Sequence, residues 1–369
     1  MSRVFLMGPL AWRPLMEVVL GAHLPTSPVV LTNVAPGPSS AFSFPHIHDK
    51  ALADAVSVEL DDPDTFDALS FFAAALGAHP VPKHGVLDGK RASGILFVAD
   101  GPLQSASMPV EDWIAAWGDL ALTAAHEIMG YHGRVPAADL SWRMSMILSR
   151  AVSVHAARAT PGPISRRRDM PRDAVTVHRK KPLHEGFFLT RGYQLQYPNF
   201  DGRQSDALHR EVFVAADAVI VLPYDPVRDR VLLVEQFRMG PFARGDIYPW
   251  VFEPPAGRVD AGETVEEAAR RECEEEAGLT LSRLEHVSSH YCSPGASTEY
   301  YHCFVALTDL PDEAAGLGGL DTEHEDIRTH VLEFDQAMHL VSTGEANIGP
   351  MILLLMWLQR ERPRLRSLA

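Results

Sequence analysis

From Gly257 to Leu279 the chain reads GRVDAGETVEEAARRECEEEAGL, and no other stretch restricts the fold as tightly. Thr264 is followed three residues later by Glu267, a capping box, so the spacing predicts a helix that starts there. Gly278 supplies its left-handed stop. On a helix advancing roughly 100° per residue, Val265, Ala268, Ala269, Glu272 and Glu276 share one face, with Cys273 and Glu275 flanking it. Glu267, Arg270 and Glu274 point the other way. A solvated acidic helix would carry its glutamates opposite the apolar stripe. Here two carboxylates lie on the stripe itself. Half-buried carboxylates one turn apart repel each other, and loss of water raises the cost. A hard divalent cation relieves both problems; Mg²⁺ takes oxygen ligands and shares them with substrate phosphates.

The gapped pattern Gly257, Glu263, Arg271-Glu272, Glu275-Glu276, Gly278-Leu279 resembles the Nudix box, with every polar and glycine position filled. Cys273 stands where that family usually carries a bulky aliphatic, and cysteine packs as a small hydrophobe. Beyond the box, LPYDPVRDRVLLVEQFR, SPGASTE and EHEDIRTHVL resemble the ADP-ribose pyrophosphatase branch of the Nudix hydrolases, over almost all of the C-terminal half. The resemblance implies an enzyme that uses Mg²⁺, or alternatively Mn²⁺, to cleave the pyrophosphate of ADP-ribose into AMP and ribose 5-phosphate.

The same resemblance implies roles for single residues. The Ala256 carbonyl, Glu272, Glu275, Glu276 and Glu325 would hold the metal. Arg271 would orient the carboxylates. Glu323 would be the loop base that approaches the attacking water, so the catalytic set is Glu323, Glu276, Glu272 and Arg271. Glu323 and Glu325 could exchange roles on sequence alone. Arg238, Ser293, Gly295 and Glu299 match substrate contacts. Phe187, Phe188, Arg210 and Glu211 match positions that hold the adenosine part, in a region exchanged between two subunits, so a homodimer is implied as well. Plainer readings stand beside these: core aromatics for Phe187 and Phe188, a surface charge for Arg238, solvated acids for Glu323 and Glu325.

At 369 residues the chain is long for one core, which favours two domains. A net charge of −15 argues against non-specific binding of nucleic acid or anionic membranes. Three cysteines, Cys273, Cys292 and Cys303, form neither a paired framework nor a metal spacing, which suits a reducing compartment. The start, MSRVFLMGPLAWRPL, lacks a signal-peptide layout, and no stretch approaches the roughly 18 apolar residues of a membrane span. These features point to a soluble, cytoplasmic protein, and the resemblance implies a small-molecule nucleoside diphosphate substrate.

Ala159–Asp173 is rich in proline and carries Arg166-Arg167-Arg168, the composition of a linker. It divides the chain into residues 1–158, a linker over 159–173, and 174–369. In the last part, Phe213–Leu222 and Arg230–Gln236 read as a hairpin across a turn at Tyr224-Asp225-Pro226. Leu284–Tyr291, Tyr300–Leu307 and Ile327–Glu333 read as further strands, and Met351–Gln359 as a helix. Strands mixed with helices on both sides predict an α/β/α sandwich.

The N-terminal part gives weaker signals. Val4-Phe5-Leu6-Met7-Gly8-Pro9-Leu10 resembles the FxYGxL entry of the gamma-glutamylcyclotransferase-like fold, a small α+β barrel. Leu69–Ala74 aligns with that fold's LDxxEG segment, but Ala73 stands where a glutamate does its acid/base work. The resemblance therefore implies a non-catalytic domain. The whole arrangement is similar to bacterial tellurite-resistance Nudix proteins. Asp112–Gly130 reads as an amphipathic helix with Trp113 and Trp117 inward. Two other classes stay open: a Nudix fold that senses a nucleotide without cleaving it, and a gamma-glutamyl cyclase with a Nudix passenger. Intact Glu272, Glu275 and Glu276 argue against the first, Ala73 against the second.

Overall fold

Runs such as AVIVLPY and VLLVEQ are apolar at consecutive positions, the pattern of strands buried on both faces. The computed structural model describes residues 2–37, 40–100, 108–319 and 325–367. The chain divides into two units, Met1–Pro163 and Ile164–Ala369.

In the first unit, β1 (Ser2–Leu6), β2 (Ser27–Ala35), β3 (His46–Leu60), β4 (Ala78–Leu87) and β5 (Lys90–Ala99) form a closed barrel in the order β1-β3-β2-β4-β5. Parallel pairing of Val4 with Ile95 and Phe5 with Leu96 closes it; the other pairings are antiparallel. Phe5, Leu31, Leu96 and Val98 fill part of its core. Helices α1 (Arg13–Leu20), α2 (Pro63–Ala75), α3 (Val110–Met129) and α4 (Met144–Ala159) accompany it. Asp62 caps α2 by accepting the Asp64 N–H at 3.0 Å. Ala73 is fully buried on that helix beside Leu69 and Phe72, so the position holds packing volume and no acid. On α3, Trp113 is buried and Trp117 half-buried.

The second unit begins with an antiparallel three-stranded sheet: β6 (Thr176–Glu185), β7 (Leu189–Gln196) and β8 (Leu208–Val214). The run read from Phe213 to Leu222 is thus two strands, broken at Ala215-Ala216, and only its second part is β9 (Asp217–Asp225). Next come β10 (Arg230–Phe237), the short α5 (Met239–Arg244), β11 (Trp250–Glu253), β12 (Ala256–Arg258) and α6 (Val265–Ala277). The unit continues with β13 (Arg283–Tyr291), β14 (Tyr300–Leu307), β15 (Gly316–Gly318), β16 (Ile327–Glu333), α7 (Phe334–Thr343) and α8 (Gly349–Arg366). These strands form one mixed sheet in the order β13-β14-β9-β10-β16-β15, with β11 on β10 and β12 on β9. Only β14 and β9 run parallel.

Side chains alternate across a strand, so the sheet has two apolar faces. Ile220, Leu222, Val231, Leu233, Cys303 and Val305 pack with Leu354, Leu355 and Leu358 of α8 and with Phe334 and Ala337 of α7. Val219, Val221, Leu232 and Val234 are equally buried on the other face, the side of α6. This mixed α/β layering accounts for the unbroken hydrophobic runs. No described helix is long and apolar enough to cross a membrane.

Candidate active site

The helix predicted from the capping box spans Val265–Ala277. Thr264 Oγ1 accepts the Glu267 N–H at 3.2 Å, and Glu267 Oε2 accepts the Thr264 N–H at 2.7 Å. Gly278 ends the helix at φ +63°, a left-handed value that glycine adopts without a Cβ penalty. The buried face differs in one detail from the expected stripe. It comprises Ala268, Ala269, Cys273 and Glu276, so Cys273 sits at its centre rather than its flank, and Val265 is only half-buried. A small thiol there lets α6 lie close to the sheet.

That close approach brings the carboxylates to β12. Glu276 is 2% exposed and accepts the Ala256 N–H at 3.0 Å. Glu272 lies over Gly257, where any Cβ would overlap its carboxylate. Arg271 ties the group together. Its Nε donates to Glu263 at 3.1 Å, and its Nη2 donates to Glu263 at 2.7 Å and to the Arg258 carbonyl at 3.0 Å. Its Nη1 donates to Glu272 at 2.6 Å and to Glu275 at 3.0 Å. One guanidinium therefore serves three glutamates.

This supply of positive charge falls short. Burial pushes the Glu272 carboxyl up to about 7; Arg271 opposes the rise, and Glu275 and Glu325 add to it. Burial pushes Glu276 up to about 8; the Ala256 N–H opposes, Glu272 and Glu325 reinforce, and Arg238 pulls it down. Glu272, Glu275, Glu276 and Glu325 are thus gathered with Ala256, Arg271 and Arg238 around one end of α6. Glu323 lies outside the described residues.

An all-oxygen donor set that is buried and short of positive charge fits a hard divalent cation. Among the described residues, no group of three or more His, Cys, Asp or Glu side chains is already arranged to hold a metal ion. Mg²⁺ is usually held by one or two carboxylates together with water and substrate phosphates.

The remaining expected residues form a second group. The loop from Cys292 to Glu299 is sewn to β8: the Phe213 N–H donates to the Ala296 carbonyl at 2.8 Å, and the Thr298 N–H to the Phe213 carbonyl at 3.0 Å. Ser293 and Gly295 are exposed on that loop, and the Ser293 carbonyl accepts the Ala296 and Ser297 N–H groups. Glu299 accepts from the Cys292 thiol at 3.0 Å and the Tyr301 hydroxyl at 3.1 Å. Arg210 and Glu211 are exposed on β8. Phe187 and Phe188 are 49% and 50% exposed, which corrects the plain reading of them as core residues. Phe188 contacts Phe187 at 5.0 Å and Phe213 at 5.1 Å between ring centroids. The aromatics thus lead from the β6–β7 turn to the loop carrying Ser293. Arg238 is not a free surface charge; its Nε donates to Glu253 at 2.6 Å. Sequence reasoning passed over Phe213 and Glu253. Nothing local marks Phe213, whereas Glu253 lies directly before the PPAG that opens the box.

The NUDIX domain family matches residues 214–355 of this chain. The chain is 37% identical to an ADP-ribose pyrophosphatase of Escherichia coli (strain K12) over 193 residues, 52% of this chain and 91% of that protein. It is 38% identical to an ADP-ribose pyrophosphatase of Haemophilus influenzae over 195 residues, 52% of this chain and 89% of that protein. It is 31% identical to a GDP-mannose pyrophosphatase of Escherichia coli O1:K1 / APEC over 185 residues, 50% of this chain and 95% of that protein. All three matches cover about half of this chain.

Proposed function

This chain belongs to the Nudix hydrolase family, and from that premise we propose that it hydrolyses the pyrophosphate of ADP-ribose to AMP and ribose 5-phosphate with Mg²⁺. The observation that carries the reading is the buried Glu272–Glu276 pair beside Ala256, with one arginine shared among three glutamates. When bound, the cation neutralises the pyrophosphate dianion and makes water a better nucleophile. Glu272, Glu275, Glu276, Glu325 and the Ala256 carbonyl would hold it. Arg271 fixes the directions of Glu272 and Glu275, and Arg238 meets phosphate oxygens. The loop carboxylate Glu323 takes the proton from the attacking water. Attack at one phosphorus expels the other phosphate, and no covalent enzyme intermediate is formed.

Phe187 and Phe188 give the adenine an apolar face, and Arg210 and Glu211 give the adenosine its polar contacts. A second copy of the chain completes this exposed surface. Residues 1–158 form a gamma-glutamylcyclotransferase-like domain without catalytic activity, because Ala73 supplies no base. A second reading, a different nucleoside diphosphate sugar, is favoured by the likeness to a GDP-mannose pyrophosphatase.

The test incubates purified protein and Mg²⁺ with ADP-ribose, ADP-glucose, GDP-mannose, NADH and diadenosine polyphosphates, and follows nucleoside monophosphate release. Preference for ADP-ribose supports the first reading. Preference for another sugar keeps the chemistry and replaces the substrate. Binding of ADP-ribose without hydrolysis of any compound sinks the enzyme reading in favour of a sensor.

A further inference from the structure

We infer that Glu253 is a positioning residue for substrate binding: it holds the guanidinium of Arg238 so that the terminal nitrogens are presented to the pyrophosphate. This rests on the reading of the site as a nucleoside diphosphate hydrolase. Glu253 ends β11 and pairs with Val234 of β10. Arg238 follows β10 with its backbone still extended, at φ −127° and ψ 130°. Alternation therefore puts residues 234, 236 and 238 on the same side of the strand, the side of α6, and Glu253 with them.

The guanidinium meets Glu253 through Nε alone, at 2.6 Å. Its two terminal nitrogens make no hydrogen bond to a described residue. An arginine held at Nε keeps its outer fork for a planar or two-pronged anion, the geometry in which it recognises phosphate. Glu253 is well placed to hold it, being 13% exposed at the side chain against 40% for Arg238. Three residues after Glu253, Ala256 gives its N–H to Glu276. The residues between are Pro254 and Pro255, which restrict the backbone. One short, stiff segment thus fixes the arginine at one end and the most buried carboxylate of the site at the other. The arrangement removes, before substrate arrives, part of the freedom a long arginine would otherwise lose on binding.

The test is a double-mutant cycle on the full chain. KM and kcat are measured for ADP-ribose with Mg²⁺ in wild type, Glu253→Ala, Glu253→Gln, Arg238→Ala and the double alanine variant. Glu253→Ala raises KM about tenfold and leaves kcat within about twofold, because an arginine released from its partner binds less well without changing the reacting centre. Glu253→Gln, which keeps an acceptor oxygen for Nε and the shape of the side chain, falls between wild type and Glu253→Ala. In the Arg238→Ala background, Glu253→Ala adds nothing. Equal penalties in both backgrounds overturn the inference, since Glu253 would then act otherwise than through Arg238. A loss in kcat with KM unchanged also overturns it. If wild type prefers another sugar of the panel, the cycle is run on that compound. A wild type that hydrolyses none of them ends the functional reading and this inference together, whereas additive penalties on an active wild type end the inference alone.

Discussion

Asp229 and Glu272 expose nearly the same fraction of their side chains, 14% and 13%, yet Glu272 lies under more of the protein and their acidities move in opposite directions. At Asp229, burial pushes the carboxyl up, but hydrogen bonds from Arg362 and Tyr224 outweigh it and hold the group below its ordinary range. The Tyr224 hydroxyl donates at 2.7 Å and Arg362 Nε at 2.8 Å, and Arg366 adds a second guanidinium. At α6 the ratio is inverted, since one guanidinium serves three glutamates. Side-chain exposure by itself therefore does not decide how a carboxylate behaves; the protein packed around it and the local supply of positive charge do. The Asp229 cluster is electrostatically complete and ties α8 to the β9–β10 turn. The α6 cluster is short of positive charge, and it is the one to which we assign the chemistry.

The sharpest way to break this contrast is Glu276→Gln. Turnover is expected to fall by about a thousandfold or more. Thermal unfolding without metal should stay level or improve, because glutamine keeps the neutral state that burial already favours at this position. A purified Glu276→Gln protein with near-normal kcat would overturn the assignment of the site. Asp229→Asn should give the mirror image. Stability falls by about 2 kcal/mol, read as a melting point lower by roughly 5 °C, because two arginines lose a charged partner and Arg362 is left with Asp335 alone. Turnover per folded molecule is unchanged. Asparagine tolerates the positive φ of 62° at this position, so backbone strain adds little to the loss.

Mg²⁺ itself separates the two clusters. At about a hundred times its Kd it should stabilise wild type by about 2.7 kcal/mol and Asp229→Asn by the same amount, but Glu276→Gln by much less. Equal melting shifts in all three would move the cation elsewhere. The smallest effect concerns acid. Asp229 has a folded pKa below its unfolded one, so its stabilisation is complete above the ordinary aspartate range and is lost as pH falls through the folded value. Denaturant titrations below about pH 4 should therefore show a steeper loss in wild type than in Asp229→Asn. Parallel curves would mean that the arginines contribute nothing there.

Features specified over a few residues were readable in advance. The capping box, Gly278 and the helical period gave α6 its bounds, and Tyr300–Leu307 and Ile327–Glu333 are strands where expected. The clustering of Glu272 with Glu276 followed from their spacing. What escaped depends on partners distant in sequence or on tertiary compensation. The Arg238–Glu253 pair joins neighbouring strands, and Phe213 matters only because the loop bearing Ser293 docks on it. Helix α8 runs on to Arg366 with Pro363 inside it, whereas the apolar run alone suggested Met351–Gln359. Arg362 and Arg366, on either side of that proline, are anchored to Asp229, and this holds the last turns in place. Phe187 and Phe188 were ambiguous because an aromatic pair reads alike in a core and on a binding surface.

The closure of the N-terminal barrel has a consequence for biosynthesis. Its seam joins Val4 and Phe5 to Ile95 and Leu96, so the unit's first strand must wait for its last. On a ribosome adding roughly 5–20 residues per second, that wait lasts several seconds. Until the fifth strand emerges, the nascent sheet has two unpaired edges and Phe5 has no finished interior to enter. The solubility of this unit during synthesis therefore depends on translation speed and on chaperones that bind the nascent polypeptide.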